Sequence, residues 1–144
     1  MQAVKVALAN SALKDLDLIT MLGGFHVYYR LSAIDITSIF NDGAKAIVTF
    51  FEVSGGRTDK ELPQANELYQ FDVWSRSENL NDAIAERLVA ILDPDDPPLG
   101  WSSISIEGRR LGELNLEPPA QELYEDDMQL HHKALQFRVI SYPA

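Results

Sequence analysis

Two adjacent histidines, His131 and His132, follow the acidic pair Asp126 and Asp127 in "EDDMQLHHKALQFRV". Imidazole and carboxylate groups are common ligands of zinc and similar ions. Neighbouring residues of a strand point to opposite faces, however, so this pair is poorly placed to share one ion. A polar start to a strand accounts for it more simply. Replacing both by alanine is then expected to leave folding and assembly near those of the native chain. His26 lies in the aromatic stretch "FHVYYRL" and reads as a half-buried packing residue rather than a ligand or base. The serines of "VSGG", "WSRS" and "WSSIS" lack the strand-turn-helix G-x-S-x-G setting that exposes a nucleophile. "SGGRTDK" has two glycines and a basic residue without the spacing of a phosphate-binding loop. The carboxylates of "DPDD" and "EDD" have no calcium-loop spacing and read as solvated charge. Trp74 and Trp101 are expected on the face away from the core, where exposed aromatics more often meet a protein than a substrate. No catalytic constellation emerges, and no metal, nucleotide or covalent cofactor is called for.

Composition narrows the classes further. The 144 residues fit one domain, 1–144, large enough for a core of its own. There is no cysteine, which excludes disulfides and thiol chemistry and fits a reducing compartment. No apolar run approaches the roughly 20 residues of a membrane helix, and "MQAVKVALANSALKDLDL" is too polar for a signal peptide. The formal net charge is −10, and a surface of that sign repels phosphate backbones. Ordinary nucleic-acid binding is therefore disfavoured. The acidity either keeps the chain soluble or lets nucleic acid pass without sticking.

The elements that would position these residues follow from periodicity. Val4, Ala7, Leu8, Ala12, Leu16 and Ile19 form one stripe of a helix over residues 3 to 20, with Gly23 and Gly24 as its stop. "FHVYYRL" reads as a short strand, and residues 32 to 43 as a connection ending in the turn signal "NDG". "KAIVTFFEV" is a strand with apolar residues at both parities, so both its faces are expected to be covered. "SGGRTDKELPQAN", residues 54 to 66, is a long polar hairpin connection. In "LYQFDVW", Tyr69, Phe71 and Val73 alternate with Gln70, Asp72 and Trp74, the period of a strand with one buried face. Asn79 or Asn81 is placed to cap the next helix, whose apolar side is Ile84, Leu88, Ile91 and Leu92; Asp93-Pro94 ends it. Residues 101 to 108 alternate as a strand, "ELNLEPPAQELYEDD" reads as loop, and a last strand runs from about 131 to 141. The fold predicted is α+β, in the order α-β-β-β-α-β-β. A mostly antiparallel sheet of four to five strands carries two helices packed on one face. Tyr69, Phe71, Val73, Leu135, Phe137 and Val139 should be buried with Val4, Leu8, Ile84 and Leu88.

Three stretches taken together resemble a known family. They are "AIVTFFEVSGG", "ELYQFDVWSRSENLNDAIAERLVAIL" and "DDMQLHHKALQFRVISY". In this order, with a polar loop after the first, they look like the tail terminator, or tail-completion, proteins of long-tailed phages and phage-like particles. The chain departs from many such proteins in having no proline in "GAKAIV" and in its longer 32–43 connection. The resemblance implies a hexameric ring that caps the tail tube and then meets the head-side connector, with DNA passing through the lumen. It places the protein in the neck region of a virion, as a structural component without enzymatic activity. It also implies that the 54–66 connection orders on a neighbouring subunit or on the tail tube. Arg57, Thr58, Asp59, Lys60 and Glu61 are the candidate docking residues, with Arg57 and Lys60 suited to acidic groups on a partner. The residues by themselves leave an alternative open, a small α+β ligand-binding or enzyme domain.

Overall fold

The computed structural model describes residues 15–57, 65–92, 105–106 and 109–143. Its elements are α1 (Leu16–Leu22), β1 (Val27–Tyr29), α2 (Ala33–Asn41), β2 (Ala46–Arg57), β3 (Ala65–Ser75), α3 (Glu78–Leu92), β4 (Ser105–Ile106), β5 (Arg109–Glu125) and β6 (Leu130–Pro143). The six strands form one sheet in the order β1-β2-β3-β6-β5-β4. β1 runs parallel to β2, and every other pairing is antiparallel. The α+β class is as predicted, while the sheet is mixed, has six strands and carries a third helix.

The alternation read from "LYQFDVW" sets the register. Phe71 pairs with Phe50 of β2 and Leu135 of β6, and Tyr69 pairs with Phe137. These residues, with Val48, Val73 and Val139, face α1 and α3 and meet Leu18, Leu22, Ile84, Leu88 and Leu92 in the main core. Phe50 stacks on Phe71 at 5.1 Å, and Phe137 meets Phe71 edge-on at 5.4 Å. All the residues expected to be buried are so wherever the structure describes them; Val4 and Leu8 lie outside the described residues. Burying one such large aromatic contributes about 1.5–3 kcal/mol.

The other face of β2 is covered as well, as its double-parity pattern predicts. Ile36, Phe40 and Ala44 pack on Ile47, Trp74 and Leu130. Here the 32–43 connection is a helix, α2. Ser32 caps it by accepting from the Asp35 backbone N–H at 3.2 Å, and Ile36 and Phe40 fall one turn apart on its inner side. The β-branched residues of "AIDITSIF" obscured that spacing. Trp74 accordingly lies on the face opposite the main core, as expected, but is buried beneath α2 rather than exposed. Trp101 lies outside the described residues.

Other boundaries differ for identifiable reasons. Asp15 has extended backbone angles and caps α1 through the Leu18 N–H, so no continuous helix spans residues 3 to 20. Gly23 ends α1 in the left-handed conformation, φ 75°, which suits a residue without Cβ. α3 is capped by Ser77, whose hydroxyl accepts from the Leu80 N–H at 3.2 Å. Neither Asn79 nor Asn81 caps it: Asn81 is inside the helix, buried, and accepts from the Ser75 hydroxyl at 2.6 Å. The expected 101–108 strand is, among the described residues, the two-residue β4. "ELNLEPPAQELYE" is strand rather than loop. Its two prolines fall in the register break between Glu117 and Gln121, on a strand whose outer side, among the described residues, pairs with β4 only at Arg109 and Arg110. A proline without an N–H is tolerated at such an edge.

Candidate assembly surfaces

The hairpin singled out in the sequence begins and ends as regular strand. β2 and β3 stay paired out to Arg57 opposite Ala65, beyond an irregularity between Glu52 and Ser54. Arg57 is the last residue of β2, and Thr58, Asp59, Lys60 and Glu61 lie outside the described residues. The connection is thus shorter than the 54–66 span suggests, because four residues on its first side and two on its second belong to the ladder.

The histidine pair separates onto the two faces of β6, as the strand geometry predicts. On the face toward α3, His131 meets the Tyr124 ring edge-on at 5.0 Å. His132, on the α2 face, is no simple polar strand start. It stacks on Trp74 with ring centroids 3.9 Å apart, and its side chain is 10% exposed. Its Nε2 lies 2.7 Å from Asp72 Oδ1 and its Nδ1 3.3 Å from Glu125 Oε1. Trp74 donates its indole N–H to the Thr49 hydroxyl at 3.0 Å, and Gln70 donates to Asp72 at 2.8 Å. One imidazole therefore joins β3, the end of β5 and β6. Burial opposes its charge most strongly, but the hydrogen bonds and charges of Asp72 and then Glu125 outweigh it. The result is a pKa above the ordinary 6.5. A protonated ring donates from both nitrogens and so satisfies both carboxylates. Position 72 looked like an outward polar residue of an alternating strand; only the pairing of Trp74 with His132 reveals the cluster.

A cleft of about 340 Å³ opens on the opposite face, between the first turns of α3 and the β5–β6 hairpin. Lys133 bridges it, donating to Asp82 of α3 at 2.8 Å and to Glu122 of β5 at 3.2 Å. The hydrogen bond to Asp82 is the chief reason that the lysine is held above the usual ammonium range and Asp82 below the usual carboxylate range. A groove of about 490 Å³ continues from the cleft along α3, with Ala85, Val89 and Leu135 along it and Asp82, Glu86 and Glu122 at its sides. Leu123 and Tyr124 stand half exposed at the hairpin end. Nothing in the sequence marked this groove, because it exists only where α3, β5 and β6 come together in the fold.

On the far flank of α3, Arg87 holds Asp15 through two hydrogen bonds, one from Nε at 2.9 Å. That pairing draws the Asp15 carboxyl below its ordinary value of 3.8. His26 lies 3.1 Å from the Tyr28 hydroxyl and is half buried, in keeping with a packing role. Among the described residues, no group of three or more His, Asp or Glu side chains is arranged to hold a metal ion. No helix among them is long and apolar enough to cross a membrane.

No protein-family model and no curated protein matches the chain. A solved structure does. A chain from the "Virion of native gene transfer agent (GTA) particle" superposes with a TM-score of 0.73 at 16% identity. The match spans 98% of this chain and 96% of that one. At that identity the likeness speaks for the fold, and it covers essentially the whole of both chains.

Proposed function

We propose that this protein is a structural component of a phage-like particle, acting as its tail terminator. In this reading it forms a ring, hexameric as the sequence resemblance implies. The ring caps the tail tube when the tail reaches its length, then presents a surface to the head-side connector. The observation that carries the reading is the end-to-end fold likeness to a chain of a gene transfer agent virion. The sequence resemblance to tail terminators rests on different grounds, local wording over "YQFDVWS" and the hairpin strands, and it points to the same kind of particle. Net charge supports the reading as well. A chain at −10 repels DNA phosphates, so a duplex moving through the ring is not retained. The protein has no catalytic task in this role; its work lies in edges, loops and grooves that meet other subunits.

The test is to delete the chain from a particle-producing cell and image the products. Tails that overgrow or stay unjoined to heads are expected, with filled heads still made. Normal joined particles in its absence would overturn the reading. Light scattering on the purified protein should show a discrete ring-sized species, or a monomer that converts to one on concentration.

A further inference from the structure

The groove between α3 and β5 lacks an occupant among the described residues, and its shape and charge specify one. It runs beside α3 from Glu78 to Val89, about 16 Å at helical rise. Ala85, Val89 and Leu135 give it an apolar base, and Asp82, Glu86 and Glu122 face Lys133 across it, leaving an excess of negative charge. The chain contains one segment of the opposite character. Residues 1–14 hold Lys5 and Lys14 and no acidic residue, within a protein of net charge −10. Val4, Ala7, Leu8 and Ala12 recur there at helical spacing, with the lysines off that stripe. Fourteen residues as a helix span about 21 Å, enough to fill the groove.

The position of Asp15 argues against filling by the same chain. Asp15 is pinned to Arg87, and Arg87 is turned about 100° around α3 from the neighbouring Glu86, which lines the groove. The backbone leaves the helical conformation at Asp15, so the preceding residues do not simply extend α1. To reach its own groove the segment must cross the outer surface of α3. The groove of another copy is free of the constraint that the Asp15–Arg87 pairing sets within one chain.

We infer that residues 1–14 of one copy lie as an amphipathic helix in the α3–β5 groove of the next, apolar stripe down and lysines against the acidic sides. The inference rests on the homo-oligomeric reading above and names the contact that would make it. A head-to-tail contact of this kind, with different patches on the two partners, closes into a ring when its rotation permits.

The absence of native cysteine makes the test clean. Leu8→Cys and Val89→Cys are introduced together and separately, and the proteins are oxidised at a concentration where the assembly forms. The double variant should give a ladder of covalently linked subunits, at least tenfold above either single variant. Links confined within single chains, seen as monomers without free thiol, would overturn the inference. So would a double variant that keeps both thiols free while remaining folded by circular dichroism. Light scattering on the same samples separates the two readings. Rings without linked subunits refute the groove contact and leave the terminator reading intact. Linked ladders from a protein dispensable for joined tails keep the contact and refute the terminator role.

Discussion

His132 offers the sharpest test of how the sheet is held together. Replacing it with alanine removes three things at once. The stack on Trp74 is worth about 0.5–1.5 kcal/mol beyond area burial. The hydrogen bond to Asp72, a carboxylate whose side chain is 6% exposed, falls in the charge-assisted class at about 1.5–3 kcal/mol. The contact with Glu125 is longer and that carboxylate is 39% exposed, so solvent screening leaves it a small share. Asp72 keeps its bond from Gln70, which limits the cost of the loss. The sum expected is about 2–4 kcal/mol, or about 5–15 °C in Tm for a domain of this size. Both histidines changed together should show nearly all of this, contrary to the expectation from sequence that the pair is expendable for folding.

The same cluster predicts a pH dependence with a definite sign. His132 has a folded pKa above its ordinary 6.5. Its stabilising contribution is therefore fully present below about 6.5 and is lost as pH rises through the raised folded value. The facing groups are Asp72 and Glu125, both carboxylates on neighbouring strands. Urea denaturation at fixed protein concentration, from pH 5.5 to 9, would measure the native chain beside His132→Phe, which keeps an aromatic ring on Trp74. The difference in stability between the two should shrink as pH rises. Equal pH profiles, or a His132→Ala loss below about 0.5 kcal/mol, would refute the charged-ring account.

Other expectations follow from the same geometry. Phe71→Ala removes a fully buried ring packed between Phe50 and Phe137 and should cost about 3–5 kcal/mol in denaturant unfolding. Asp15→Ala removes the α1 cap, at about 0.5–2 kcal/mol, and with it the partly exposed pairing to Arg87, worth at most about 1 kcal/mol after screening. Because the Asp15 pKa is depressed, its contribution is present above 3.8 and is lost as pH falls through the lower folded value; acid unfolding of Asp15→Asn beside the native chain checks it. Shortening residues 56–64 to a tight turn should leave the domain folded. If Arg57, Thr58, Asp59, Lys60 and Glu61 dock on a partner, such particles will have unjoined or overlong tails by electron microscopy; normal joined tails would remove that role.

What was legible in the sequence was whatever depended on one element at a time. The strand with Tyr69, Phe71 and Val73, the apolar side of α3 and the two-sided covering of β2 all came from local period, and they hold the main core. Besides the start of α1, two helix starts are hidden in the sequence because each has a competing signal. Ser32 and Asp35 are a usable cap pair for α2, but a β-branched run follows them. Ser77 lost to the asparagines at 79 and 81, although it sits where the first unpaired N–H groups need an acceptor. β5 is hidden in the sequence because two prolines normally exclude a strand, and only the sheet order shows it to be near an edge, where they do not. The histidine cluster and the groove were out of reach for a different reason. Asp72 and His132 are 60 positions apart, and a groove is the place an element fails to cover.

The outer side of β5 bears on how copies of this chain would join in the proposed ring. Beyond Arg110 it has no strand beside it among the described residues, the usual invitation to edge-to-edge pairing. Yet Pro118 and Pro119 cannot donate, and the register slips twice against β6. Two such edges brought together would meet across a ladder already missing donors. A ring subunit needs a contact that selects one orientation, and an open ladder does not, because it can slip by two residues at little cost. A groove with apolar base and acidic sides selects both direction and register for a basic amphipathic helix. It keeps the sheet itself stiff and uninvolved. In the proposed ring, the features that blunt β5 as a pairing edge are thus the counterpart of the groove beside it, and both favour side-chain contacts over strand pairing.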